Sequence, residues 1–99
     1  MIVVFTAEAE ADLERIGDYI AEDNPVAAAT FVIGLRRHCE TLAEFPKRFP
    51  LAPRYEHTGV RRMTHGNYLI FYRVAGEEIE ILHILHGAQE YESILFPRD

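Results

Sequence analysis

The 99-residue sequence contains a single cysteine, Cys39. An intrachain disulfide and a thiolate-bound metal cluster are therefore both excluded, and the reducing cytoplasm is the expected setting. Long apolar runs are also missing. MIVVF meets an acidic stretch after five residues, short of the ~7–15 residues of a secretory h-region and of the ~20 that span a bilayer. No targeting or transmembrane segment is expected. Positive charge is scarce: ten Lys and Arg stand against sixteen Asp and Glu, for a net charge of −6. Nucleic-acid binders carry a basic footprint, so direct DNA binding by this chain is not expected. HExxH, CxxC, a Gly-rich phosphate loop, GxSxG, internal repeats and low-complexity segments are all absent from the sequence. No metal and no cofactor is expected. Hydrophobic residues make up 48% and charged residues 26%, close to globular averages of ~45–50% and ~25%, so a folded chain is predicted. Its length fits one domain spanning residues 1–99.

The charge is unevenly placed. Residues 1–45 hold nine acids and three bases, and residues 63–99 hold six acids and two bases. Between them, residues 46–62 hold five bases (Lys47, Arg48, Arg54, Arg61 and Arg62) and one acid, Glu56. Pro46, Pro50, Pro53 and Gly59 fall in the same stretch. This basic island cannot be helical and reads as a loop.

Ile2–Phe5 is apolar and β-branched and reads as a strand buried on both faces or at a sheet centre. Thr6 can then cap a helix, with Glu8 and Glu10 in its first turn, where negative charge suits the dipole. Ala9, Leu13, Ile16 and Ile20 make its buried stripe, leaving Asp12, Glu14, Arg15, Asp18 and Glu22 to the other positions. Asn24 followed by Pro25 supplies a cap and a first-turn proline for a second helix, so the two form an antiparallel hairpin. Ala28, Phe31, Leu35, Cys39 and Leu42 form the second stripe, and the helix must stop by Phe45 because Pro46 follows. Ala29 and Ile33 fall on the opposite side. Three strands follow at about residues 60–64, 68–74 and 79–86, joined by two hairpin turns. Simple alternation puts Ile79, Ile81, His83 and Leu85 on one face against Glu80, Leu82, Ile84 and His86. Both sheet faces are largely apolar. The helices cover one, and the other is left to the tail, the island or another chain. The predicted class is α+β: a strand, an antiparallel helical hairpin, a three-strand antiparallel meander (β-α-α-β-β-β) and a short C-terminal tail.

Five histidines raise the question of metal binding, but His83 and His86 are three apart on a strand and point to opposite faces. Cys39 lies on an apolar helical stripe and reads as buried and structural, with His38 turned away from it. Metal-free RNA cleavage needs a base, an acid and a cation for the phosphorane charge. Glu56 as base, His83 or His65 as acid and Arg62 as phosphate clamp are the available pieces, though they form no motif. Plainer readings stand beside these. Arg61 and Arg62 are consecutive and would face opposite sides of a strand, and His83, among Ile and Leu, fits a hydrogen-bonded core histidine. Ile33 fits an ordinary exposed apolar residue.

The element order, the opening FTAEAEADLERIGDYIAEDNPVAAATF, and GNYLIFYRV at 66–74 followed by IEILHILHGA at 79–88 resemble the ParE branch of the RelE/ParE toxin superfamily over nearly the whole chain. The resemblance implies a toxin of a type II toxin–antitoxin pair, neutralised by a cognate, ParD-like antitoxin that wraps the hairpin and the sheet. Ala29, Ile33 and Arg73 are the antitoxin contacts expected on that basis. It further implies a non-enzymatic inhibitor of DNA gyrase, with Arg61, Arg62, Tyr68, His83, Gln89, Tyr91 and the tail as target contacts. The alternative is a RelE-like, ribosome-dependent mRNA interferase. Relatives of that kind use a C-terminal Arg and Tyr, where this chain has Gln89 and Leu95. His83 departs from the Arg often found there in ParE-like sequences. Deleting residues 88–99 is expected to abolish toxicity and spare the fold.

Overall fold

The computed structural model describes residues 1–97, so the last two residues of the predicted tail lie outside the described residues. In chain order the elements are β1 (Ile2–Phe5), α1 (Ala7–Ala21), α2 (Pro25–Glu40), β2 (Arg61–His65), β3 (Tyr68–Ala75), β4 (Glu78–His86) and α3 (Tyr91–Leu95). The fold is α+β, as the sequence predicts. Both helix starts follow their caps: the Thr6 hydroxyl accepts from the Ala9 N–H, and the Asn24 side chain accepts from that of Ala27, with Pro25 in the first turn. Two hairpins close on Gly66-Asn67 and Gly76-Glu77, where Gly66 (φ 58°) and Gly76 (φ 63°) adopt the left-handed conformation that two-residue turns need.

The four strands form one sheet in the order β1-β4-β3-β2, with β1 parallel to β4 and the rest antiparallel. This corrects the expectation for Ile2–Phe5, which is an edge strand and not a central one. Ile2 is 68% and Val4 37% exposed, while Val3 and Phe5 are half-buried. A short apolar run reports β propensity, and burial on both faces does not follow from it.

Strict alternation along β4 also fails. Phe71 pairs with His83 but Tyr72 pairs with Ile81, so Leu82 is an extra, bulged residue. The phase shifts by one residue beyond it. Ile84, not His83 or Leu85, joins Ile79 and Ile81 in the core beneath the helices, and Leu85 joins Leu82 on the other face. That first core gathers Ala9, Leu13 and Ile16 from α1, Leu35 and Cys39 from α2, Leu42 from a 3-10 turn at Thr41–Ala43, and Met63, Ile70 and Tyr72 from the sheet.

The second face is covered by the island and the tail. Phe71 and Leu85 are buried with Ala52 and Val60, and Tyr91, Leu95 and Phe96 pack against them. Tyr91 lies 4.8 Å from Phe71, and Phe96 stacks on Tyr55 at 3.9 Å. The tail therefore packs against this second core, which weighs against the expectation that its removal spares the fold. The island is mostly irregular, with one 3-10 turn at Glu56–Thr58 that begins after its last proline and ends at Gly59 (φ 78°). No helix among the described residues is long and apolar enough to cross a membrane.

Candidate functional site

The candidate site is organised by a carboxylate that the sequence reading placed outside the buried stripe. Asp12 is 3% exposed. β1 pairs with β4 only as far as Ile81, which leaves the outer edge of β4 beyond it without a strand neighbour. The start of α1 takes over there. The Thr6 N–H donates to Ile81 O at 3.1 Å, and its hydroxyl lies 2.9 and 3.0 Å from the carbonyls of Ile81 and Leu82. Two turns later, Asp12 Oδ2 accepts from the Ile84 N–H and from His83 Nδ1, both at 2.8 Å. A carboxylate so placed satisfies a buried backbone donor that would otherwise be orphaned. Asp12 Oδ1 accepts from Arg15 at 2.6 Å.

Asp12 thus connects two clefts. His83, bound through Nδ1, lines a cleft of about 380 Å³ with Glu8, Thr58, Arg73, Leu82 and Phe96. Arg15 lines another of about 430 Å³ with Tyr19, Asn67, Tyr68, His86 and Gln89. Since a carboxylate only accepts, His83 carries its proton on Nδ1 in this pair. Tyr68 also belongs to a row of rings: Phe31 lies 5.6 Å from Tyr68 and 5.5 Å from His65, and His86 meets Tyr68 edge-on at 5.4 Å. At the end of the row His38 and His65 bring their Nδ1 atoms to 2.8 Å, so one donates and the other accepts. Burial, then the neighbouring His65 and Arg48 charges, hold the His38 pKa below its ordinary value. Cys39 is fully buried, and burial pushes its thiol up to about 12, as befits a structural residue.

The profile of the ParE toxin of the type II toxin–antitoxin system, parDE, matches residues 3–91. The chain belongs to the ParE toxin family. It is 37% identical to toxin RelE2 of Caulobacter vibrioides over 89 residues, covering 88% of this chain and 96% of that protein. It is 32% identical to putative toxin Y4kP of Sinorhizobium fredii over 91 residues, covering 92% and 93%. Among solved structures, it resembles the chromosomal ParDE toxin–antitoxin system of P. aeruginosa with a TM-score of 0.74 at 30% identity, covering 87% of this chain and 95% of that one. The toxin–antitoxin complex RelBE2 of Mycobacterium tuberculosis gives 0.54 at 28% identity, covering 86% and 95%.

In this ParE-family chain the expected target contacts divide. Tyr68 and Gln89 share the Arg15 cleft, whereas His83 lines the other. Tyr91 is engaged with Phe71 in the tail packing. Arg61 turns beneath the island and donates to the carbonyls of Phe49 (2.7 Å) and Lys47 (3.3 Å). Arg62 follows it on the edge strand β2, half-buried and opposite Phe71. The nuclease candidates are not brought together: His83 is in its cleft, His65 is in the ring row, and Glu56 is exposed at the start of the 3-10 turn. Of the antitoxin contacts, Ala29 and Ile33 are exposed one turn apart on α2, and Arg73 is tied to Glu80 at 2.7 Å across the β3–β4 hairpin.

Asp12, Arg15, Tyr19 and the His38–His65 contact were missed. For Asp12 a signal existed: it lies three residues after Ala9 and four before Ile16, which is stripe spacing. For the His pair no signal existed, because the two residues lie 27 apart on different elements.

Proposed function

We propose that this toxin inhibits DNA gyrase, and hence DNA replication, by surface contact, and that a cognate, ParD-like antitoxin neutralises it. The observation that carries this reading is the dispersal of Arg62, His83, His65 and Glu56 among the described residues: His83 lines its cleft, His65 sits in the ring row, Arg62 lies on the edge strand and Glu56 on the exposed 3-10 turn. A base, an acid and a phosphate clamp must meet at one substrate to cleave it. The Arg15 cleft supplies the alternative, a recognition surface. Tyr19, 71% exposed, stands there with Tyr68, His86, Gln89 and a largely exposed Arg15, and tyrosine and arginine dominate binding hot spots. Kinship with the P. aeruginosa ParDE system supports an antitoxin of ParD type. The test is a gyrase supercoiling and cleavage assay with purified toxin, ATP and plasmid. Linear DNA that accumulates with toxin, and that antitoxin suppresses, is the expected result. Unaffected gyrase at saturating toxin would reject the reading.

One observation favours a second reading, a ribosome-dependent mRNA interferase. A buried carboxylate orients the His83 imidazole, and the ring's other nitrogen makes no hydrogen bond among the described residues, an arrangement suited to proton transfer. Message cleavage on ribosomes that disappears in His83→Ala would establish it, and intact message during growth arrest would dismiss it.

A further inference from the structure

The basic residues fall into two groups. Arg15, Arg36, Arg54 and Arg73 each form an ion pair, with Asp12, Glu10, Glu92 and Glu80 respectively. Arg37, Lys47, Arg48, Arg61 and Arg62 have no carboxylate partner among the described residues. These unpaired cations gather around the segment that follows α2. Arg37 is in the last turn of α2. Lys47 and Arg48 are in the segment itself, and the Arg48 guanidinium lies over the Phe49 ring at 5.5 Å. Arg61 reaches under it to two carbonyls, and the Arg62 backbone N–H donates to Pro50 O at 3.0 Å.

An open groove of about 660 Å³ lies among these charges, walled by Glu44, Phe45, Pro46, Lys47 and Arg48. Phe45 is 63% exposed. The segment is held from its inner side and needs no partner to keep its shape. The hydroxyl of the fully buried Tyr72 donates to Pro46 O at 2.9 Å, and Arg61 holds the carbonyls of Lys47 and Phe49. An apolar ring presented on a pre-shaped loop loses little entropy on binding.

We propose that the loop from Phe45 to Arg48 is a docking surface for an acidic, apolar-tipped segment of a partner protein. An apolar side chain of that segment packs on Phe45 and Pro46, and its carboxylates meet Lys47 and Arg48. The remainder of a chain with net charge −6 repels such a segment, so the field orients it toward the one basic end. A nucleic-acid backbone fits less well, because phosphates would leave the apolar wall uncovered. This surface shares no residue with the Arg15 cleft, and the inference does not depend on gyrase being the target.

The experiment is fluorescence anisotropy with the full chain and three labelled probes. These are a peptide with a central Leu-Phe pair flanked by glutamates, the same peptide flanked by lysines, and a single-stranded oligoribonucleotide. The glutamate peptide should bind most tightly and weaken as salt is raised. Phe45→Ala should weaken it about tenfold with little change in salt dependence, as for loss of one hot-spot side chain. Lys47→Glu with Arg48→Glu should weaken it at least about tenfold and flatten the salt dependence. All three residues are exposed and only Arg48 gives up a contact, with the Phe49 ring, so thermal melts of the variants should stay close to the parent, and Phe45→Leu should retain most of the binding. Equal binding of the two peptides, indifference to Phe45→Ala, or preferential capture of the oligoribonucleotide would each overturn the proposal.

Discussion

Replacing Asp12 by alanine tests the connection between α1 and β4 most directly. The substitution removes the acceptor for three groups of unequal consequence. Arg15 has a side chain 60% exposed and returns to water at little cost. The Ile84 N–H is buried, and an orphaned buried donor costs about 1–3 kcal/mol. His83, with a side chain 19% exposed, loses a charge-assisted bond of about 1.5–3 kcal/mol, part of which water restores. The expected loss is about 3 kcal/mol, which for a chain of this length lowers Tm by about 12–24 °C. Asp12→Asn retains one carbonyl oxygen and should cost about half as much. Urea unfolding of Asp12→Ala, His83→Ala and the double variant completes a cycle in which the pair should be coupled by about 1–2 kcal/mol. Stability within about 0.5 kcal/mol of the parent for Asp12→Ala, or no coupling in the cycle, would refute the account.

The His38–His65 contact predicts acid sensitivity. Because the folded-state pKa of His38 lies below its ordinary 6.5, the unfolded chain takes up the proton more readily. Stability is then complete above the ordinary value and declines as pH falls from there toward the lowered one. Urea unfolding across that window should show a shallower decline in His38→Gln, and an unchanged slope would contradict the assignment. Cys39, buried and with its thiol pushed up to about 12, should resist maleimide at neutral pH in the native state and react only on unfolding; rapid native labelling would show that the site is open. Truncation after Gly87 should lower the unfolding midpoint and raise dye binding, since Phe71 and Leu85 lose the cover of Tyr91, Leu95 and Phe96. A midpoint equal to that of the full chain would return the tail to a purely functional role.

The helical hairpin, its caps and the two glycine turns were legible because each depends on residues a few positions apart. Thr6 and Asn24 cap helices through amides three residues on, and Gly66 and Gly76 supply the local φ their turns require. Charge and composition likewise marked the island as a loop and the chain as acidic. Of the site, the sequence offered Tyr68 and Gln89 as separate target contacts, which folding places in one cleft, and His83, His65, Arg62 and Glu56 as a set that folding separates. The tertiary structure alone decided the rest. It put β1 at the sheet edge, inserted Leu82 as a bulge that turns Ile84 inward, and folded the tail over Phe71. It also carried Asp12 to His83 and Ile84, partners 71 and 72 residues away. Period and propensity describe a segment's own geometry, whereas a buried carboxylate is tolerable only where a distant strand end leaves a donor unpaired, and that pairing exists only once the chain has closed on itself.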